Sequence, residues 1–341
     1  LIQNGGTFNI DNRIELGNVS GSGNEGDYIY HGGVLSSGQN ATSNPGTSPG
    51  VRLGVGSGTT GKFVDYNNGP AGNITVSGFF ISYNSSSTGI VEFHYDNGGI
   101  RPIQIVENPN AADSNGVNNS GELSFRNQSS GAQSSRLNLV LDSSPTMTLV
   151  GGVEVPQNLG LFTTLDPTKI VGNSGQFKGF YDSTGTNQLP EGAAISLRAP
   201  NGYTDTWDIS YQGTINFSDP SISAISSITG PNNLLGSATT GGSDVVLMGV
   251  SAIAPVIGDA NGDGVVNGAD LAILVGNNGK SVTGGYAAAD FNDDGVVNQD
   301  DWSIFDYGVA LYNHSVPPVP EPAGAALVLL APMCGLRRRR R

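Results

Sequence analysis

The chain has 341 residues, of which 51 are Gly and only 13% are charged, where an ordinary globular domain has about 7% Gly and about 25% charged residues. Acids outnumber bases 29 to 15 for a net charge of −14, and five of the bases are the last five residues, Arg337 to Arg341, so the body offers no basic face for nucleic acid. A single Cys, Cys334, excludes an intramolecular disulfide framework and a Cys-based zinc site, and the Gly excess lacks the three-residue period of collagen.

Residues 1–250 read as strands and turns. Short β-branched and aromatic runs recur at Thr7–Ile10, Tyr28–Tyr30, Ile74–Val76, Ile90–Tyr95, Leu137–Leu141, Trp207–Tyr211 and Asp244–Leu247. Clusters of Gly, Ser, Asn and Asp between them supply turns and positive φ. No window longer than ten residues in this half has clean helical spacing. Ile14-Glu15-Leu16-Gly17 returns as Val51-Arg52-Leu53-Gly54 at an offset of 37, and Gln3–Phe8 echoes Tyr30–Leu35 at an offset of 27. Strand-and-turn units with variable turns suit a solenoid, in which each coil buries its inward face on the next. A sandwich with convergent turn composition is the alternative.

The Gly-Gly-(Thr/Val)-(Phe/Leu) and Leu-Gly-(Asn/Val) elements resemble the β-helical passenger-type regions of autotransporter-like bacterial surface proteins. The stretch from Leu159 through Leu189–Ala193 and Ile209–Tyr211 to Leu247 resembles the segment that closes such regions. The resemblance implies a mainly β body over 1–250, a right-handed parallel β-helix, with 151–250 as closing strands or cap.

The strongest chemical pattern opens at Asp259. Asp259, Asn261, Asp263, Asn267 and Asp270 place oxygen-bearing side chains at loop positions 1, 3, 5, 9 and 12. Gly264 stands at position 6, where the chain must turn sharply, and the Val265 carbonyl is available at position 7. Asp290, Asn292, Asp294, Gly295, Val296, Asn298 and Asp301 repeat the arrangement 31 residues later. The carboxylates of each loop repel one another without a cation and become ligands with one. Two Ca²⁺ ions are expected, with Asp270 and Asp301 bidentate; Mg²⁺ demands a tighter octahedron and more retained water.

The flanks differ from an EF-hand. Pro255 lies just before the first loop and Thr283-Gly284-Gly285 just before the second, so neither has room for a full entering helix. After each loop, apolar residues fall on one helical face: Leu271, Leu274 and Val275, then Trp302, Phe305 and Val309. The units Gly258–Asn278 and Ala289–Tyr312 resemble a type I dockerin. The resemblance implies a small α-helical calcium module over 258–314, after a linker at 251–257, and a cohesin-like partner. Partner contacts in that family centre on hydroxyl pairs at loop positions 10 and 11. Here those pairs are Gly268-Ala269 and Gln299-Asp300, without hydroxyls and unlike each other. A structural or adhesive calcium module is therefore at least as strong an expectation as cohesin docking.

The tail, 315–341, changes composition again. Val316–Pro322 is a stiff Pro-rich linker, Ala323–Leu336 is an uncharged apolar run, and five Arg follow. As a helix the apolar run is about 21 Å long, short of a hydrocarbon core of about 30 Å. Val319-Pro320-Glu321-Pro322 and Arg337–Arg341 resemble a PEP-CTERM sorting tail. That resemblance implies an exosortase-type partner, a short transmembrane helix that inserts transiently in the inner membrane, and release to the cell surface or extracellular space. An ordinary C-terminal anchor is the plainer alternative.

Catalysis has little support. A glycosidase needs two carboxyl groups at a set separation, and nothing in the sequence pairs any two of Glu92, Asp96, Glu107, Glu122, Glu154, Glu191, Asp205 and Asp208. Glu92 and His94 share one face of a predicted strand and read as two solvated groups. His31 and His314 read as isolated, and Trp207 as core. The expectation is an exported, non-catalytic calcium-binding protein with a structural or adhesive matrix role. The alternative is a dockerin-bearing accessory of polysaccharide breakdown, a glycoside hydrolase or a polysaccharide-binding protein.

Overall fold

The computed structural model describes residues 1–11, 13–19, 23–38, 50–66, 74–84, 86–96, 100–107, 121–126, 134–164, 169–172, 177–213, 215, 242 and 244–315. The expected membrane helix and sorting signal lie outside these residues. The chain divides into two compact units between Ala254 and Pro255.

The described residues of the first unit are mainly strand and turn. Its strands in chain order are β1 (Ile2–Ile10), β2 (Arg13–Leu16), β3 (Glu25–Ser37), β4 (Gly50–Leu53), β5 (Thr60–Asp65), β6 (Ile74–Val76), β7 (Gly78–Ile81), β8 (Thr88–Tyr95), β9 (Ile103–Ile105), β10 (Glu122–Phe125), β11 (Ser135–Leu141), β12 (Met147–Val150), β13 (Val153–Pro156), β14 (Leu159–Thr164), β15 (Ile170–Gly172), β16 (Ala194–Arg198), β17 (Thr204–Gly213) and β18 (Asp244–Ile253).

Their pairing follows a simple rule. β1 lies parallel along one edge of β3, from Ile2 opposite Ile29 to Ile10 opposite Ser37. On the other edge, β5 pairs with the first half of β3 and β6 with its second half. Each arm then grows by parallel addition, β5–β8–β11 and β6–β9–β14. A second sheet, β2–β4–β7–β10–β15, is parallel throughout. The chain thus visits each arm, then the second sheet, and returns one strand further along. The sequence repeats are adjacent strands in this register: Ile14 faces Val51, and Phe8 faces Leu35.

Stacking like residues makes the core. Tyr28, Phe63, Val91 and Leu137 stand in register and are all buried. The Tyr28 and Phe63 rings stack with centroids 5.4 Å apart, and Phe162 meets both Phe79 and Phe93 edge-on at 5.2 and 5.6 Å. Fully burying one such side chain is worth about 1.5–3 kcal/mol. The corner after the second sheet explains part of the Gly excess. Gly17, Gly54 and Ser82 occupy the same place after the neighbouring strands β2, β4 and β7, with φ of 65°, 65° and 57°. A Cβ on Gly61 would overlap the Gly54 amide, and one on Gly89 would overlap that of Ser82, so the facing corner residue must also be Gly.

Parallel pairing continues past residue 150, through β14 and β15, further than the closing segment expected there. The antiparallel part is β14–β18–β17–β16, with β12–β13 a separate hairpin. Trp207 is fully buried, and its indole N–H donates to the Gln157 carbonyl at 3.0 Å. β18 extends through Ile253, three residues into the stretch expected to be linker, because Ser251, Ala252 and Ile253 pair with Thr206, Asp205 and Thr204.

The second unit contains α1 (Gly268–Asn277), a 3₁₀ turn at Gly285–Ala288 and α2 (Gln299–Ser315). Only that short turn precedes the second loop, and no helix precedes the first. Ala260, Val266, Leu274, Tyr286, Phe291, Val297 and Phe305 form its core. The apolar face read onto α1 is only partly used. Leu274 is buried, whereas Leu271 and Val275 are exposed, because so small a core cannot cover a full helical face. On α2, Phe305 is buried and Trp302 and Val309 pack at its margin. No helix among the described residues is long and apolar enough to cross a membrane.

Candidate metal centre

The two acidic loops fold alike. Asp259 accepts the N–H of Gly262 and Asp263 on Oδ1, at 2.7 and 3.2 Å, and that of Gly264 on Oδ2 at 2.8 Å. Asp290 accepts from Asp294 on Oδ1 at 3.1 Å and from Gly295 on Oδ2 at 2.9 Å. At position 12, Asp270 clasps the loop from the other side, taking Asn261 N–H at 3.1 Å and Asn267 N–H at 2.9 Å. Asp301 takes Phe291 N–H at 2.7 Å and Asn298 N–H at 2.8 Å.

Backbone shape repeats with the bonds. Gly264 and Gly295 at position 6 both have φ of 83°, as the sharp turn requires. At position 4, Gly262 has φ of 74° and Asp293 adopts 57°, a region where Asp is among the few tolerated non-Gly residues. Asn267 and Asn298 at position 9 also cap the helices, accepting the N–H of Ala269 and Asp300 at 2.8 Å each. The carboxylates at position 12 therefore sit in the first helical turn, where the helix dipole favours them.

The residues fit a hard cation. Asp259, Asp270, Asp290 and Asp301 are all buried. Among the described residues no Lys, Arg or His forms an ion pair with Asp270, Asp290 or Asp301. Buried charges are normally paired or metal-bound. Each oxygen that accepts one N–H keeps a second lone pair. The remaining donors are mixed: Asn261, Asp263, Asn267 and the Val265 carbonyl, and likewise Asn292, Asp294, Asn298 and the Val296 carbonyl. The Asn267 and Asn298 amides presently donate to those carbonyls at 3.2 Å each, and the Val296 N–H holds Asp294 below the usual carboxylate range. No three His, Cys, Asp or Glu side chains among the described residues converge into a ready-made cluster; each loop combines carboxylates with neutral oxygens.

Comparison of the chain with protein-family models, with curated proteins and with solved structures finds no match. The functional reading rests on the residues themselves.

The body holds a second charged group that the alternation pattern misjudged. Glu92 and His94 are not solvated but nearly buried, with side chains 12% and 9% exposed. Glu92 takes Lys62 Nζ at 3.0 Å and Asn138 Nδ2 at 2.5 Å on one oxygen and meets His94 Nε2 at 3.1 Å on the other. His94 Nδ1 meets Asp142 at 2.7 Å. The His94 hydrogen bond first, with those of Lys62 and Asn138, outweighs burial and holds Glu92 at about 2. Burial works against the imidazolium, but the bonds to Glu92 and Asp142 prevail and raise His94. His31 is not isolated either: its ring stacks on Tyr66 at 4.3 Å, and Tyr66 on His94 at 3.9 Å. The His314 side chain lies outside the described part of the chain. Both ring nitrogens of His94 are engaged by carboxylates, which favours the charged imidazole. Finding this group required the strand register that sets Asn138 opposite Glu92.

A cleft of about 230 Å³ opens between β11 and β16, beside Asn138, Leu139, Asp182 and Ser196. Among the described residues its one lining carboxylate is Asp182. Burial raises that group, but the bonds from Thr184, Asn187 and the Thr186 N–H together outweigh it and hold it at about 2. Glycoside hydrolysis requires a partner carboxyl kept protonated, so this cleft gives it no support.

Proposed function

We propose that the chain is an exported, non-catalytic calcium-binding protein of the cell surface or extracellular matrix. Its body is a right-handed parallel β-helix, and its second unit is a dockerin-like module that takes two Ca²⁺ ions. The duplicated loop carries the reading: two segments 31 residues apart share donor types, backbone turns and buried acids. Asp259, Asn261, Asp263, Val265, Asn267 and Asp270 hold one ion; Asp290, Asn292, Asp294, Val296, Asn298 and Asp301 hold the other. Bound calcium supplies positive charge to a stretch, 258–306, with nine Asp and one Lys. The β-helix reading is supported by ladders that advance one strand per coil, and the right hand by the twist preference of parallel crossovers.

Residues 315–341 act as a PEP-CTERM sorting tail. Their apolar run inserts transiently in the inner membrane, and an exosortase-type enzyme releases the protein. The pairs Gly268-Ala269 and Gln299-Asp300 are exposed but chemically unlike, which gives a two-fold cohesin-binding surface no support.

Calorimetric titration of the chelator-stripped full chain tests the module. Two calcium equivalents should bind, one after Asp270→Asn, and none after Asp270→Asn with Asp301→Asn. Absent heat, or an unchanged double variant, overturns it. Deleting 319–341 should abolish membrane retention in the native host; unchanged fractionation overturns the sorting role.

A further inference from the structure

We propose that the outer face of the β2–β4–β7–β10 sheet binds an anionic polysaccharide through the carboxylates of its sugar units, at a site built from Arg13, Arg52, Tyr83 and Arg126. This site lies in the first unit and does not rest on the calcium reading.

Phe80 is the starting observation. Its register with Arg52 and Ser124 places it on the outer side of the sheet, opposite to the inward Phe79 and Ile81. It is nevertheless fully buried. The Arg52 and Arg126 guanidiniums cover it, 5.9 and 6.0 Å from its ring centroid, and both also contact Tyr83, at 4.3 and 4.5 Å. Two like charges are thereby held against one aromatic ring. Cation–π contact positions them but does not discharge them.

The carboxylate supply on this face is small. Glu15 takes Arg13 Nε at 2.5 Å and Arg52 Nη1 at 3.4 Å. Arg126 forms no ion pair among the described residues. Burial pulls the Arg52 guanidinium down, and the positive charges of Arg13 and Arg126 add to that effect. The other nearby acid, Glu122, is pushed up by burial, which favours its neutral form. Among the described residues Arg13 and Arg52 share the Glu15 carboxylate, and the Arg126 fork keeps donors in the geometry that carboxylates accept bidentately.

The spread of the cations selects a polymer. Arg13 lies on β2 and Arg126 just beyond β10, three strand spacings or about 14 Å across the sheet. Arg52 stands between them, sharing Glu15 with Arg13 and the Tyr83 ring with Arg126, so the cations form a row that a chain of acidic sugars engages at several units and a single sugar acid at one. The overall charge of −14 does not forbid this, because charges beyond about 8 Å are screened at physiological salt.

The test uses the full chain in chelator, so that calcium cannot bridge acid to acid. Polygalacturonate, galacturonate monomer and neutral dextran are titrated in parallel. Polygalacturonate should bind, dextran should not, and the monomer should bind at least 100-fold more weakly. Arg126→Gln should weaken polymer binding about tenfold and Arg126→Lys less, with circular dichroism unchanged. Equal binding of dextran, binding of the monomer as tight as the polymer, no polymer binding, or Arg126→Gln and Arg13→Gln both behaving as wild type overturns the proposal.

Discussion

Asp259 and Asp290 make the same pair of bonds 31 residues apart. Each accepts the N–H of the residue four ahead on one oxygen and that of the glycine five ahead on the other, at 3.2 and 2.8 Å for Asp259 and 3.1 and 2.9 Å for Asp290. An acid at position 1 thus organises its loop through the backbone. The two Asp290 oxygens, with one N–H each, retain lone pairs for an ion.

Calcium should raise the stability of the second unit by mass action. At one hundred times its dissociation constant the gain is about 2.7 kcal/mol. Thermal melts followed by Trp302 fluorescence should shift upward with calcium. The shift should vanish in Asp270→Asn with Asp301→Asn. A calcium-dependent shift that survives in this variant contradicts the assignment of the loops.

The glycine corner should resist even a methyl group. In Gly61→Ala the new Cβ meets the Gly54 amide, backbone that cannot yield cheaply. A loss of about 1–3 kcal/mol is expected in urea denaturation of the body. Gly276 lies on the exposed side of α1, and no atom stands within 4 Å of the place its Cβ would take, so it should respond oppositely. Gly276→Ala is expected to stabilise by about 0.5–1 kcal/mol through helix propensity.

Asp205 should make the body less stable as pH rises. It is fully buried, neither oxygen has a hydrogen-bond partner among the described residues, and desolvation pushes it up to about 6. The folded value lies above the unfolded one, near 3.9. Its neutral form is therefore retained on folding below that pH, and the associated stability is lost as pH rises through about 6. The cost at pH 7 is of the order of 3 kcal/mol. Asp205→Asn should be more stable than wild type at pH 7 and nearly equal at pH 4. Parallel denaturation curves at both pH values, with no convergence in acid, would contradict this.

Glu92 should act in the other direction. Its folded value, about 2, lies below the unfolded one, so its contribution is present above about pH 4 and lost as pH falls towards 2. Glu92→Gln should cost about 2–3 kcal/mol at neutral pH and flatten the acid limb of the stability curve. The same change removes one clamp on His94, so the imidazole should titrate at lower pH in the variant. NMR titration of the His94 ring protons reads this directly; an unmoved titration means that Glu92 does not hold the ring.

The local features were legible because short-range patterns encode them. The recurrence of Ile14–Gly17 at Val51–Gly54 marks two strands that face one another, since like sequences stacked in register bury like side chains. The loop positions from Asp259 to Asp270 and from Asp290 to Asp301 were readable because a tight turn needs Gly at position 6 and oxygens at fixed steps. The direction of Trp207 and the absence of entering helices followed from similarly local chemistry.

Long-range placement was decided by the tertiary structure. Alternation places Glu92 and His94 on one outward face, but that face is not wet, because Lys62, Asn138 and Asp142 from neighbouring segments cover them. Phe80 points outward and is buried for the same reason, because Arg52 and Arg126 arrive from neighbouring strands. On α1, by contrast, the helical period exposed more than it hid, since the small core reaches Leu274 but leaves Leu271 and Val275 in solvent. The sequence by itself determined where the chain turns and which oxygens line the two acidic loops. Which charges meet, and which are covered, depended on register between strands that lie dozens of residues apart.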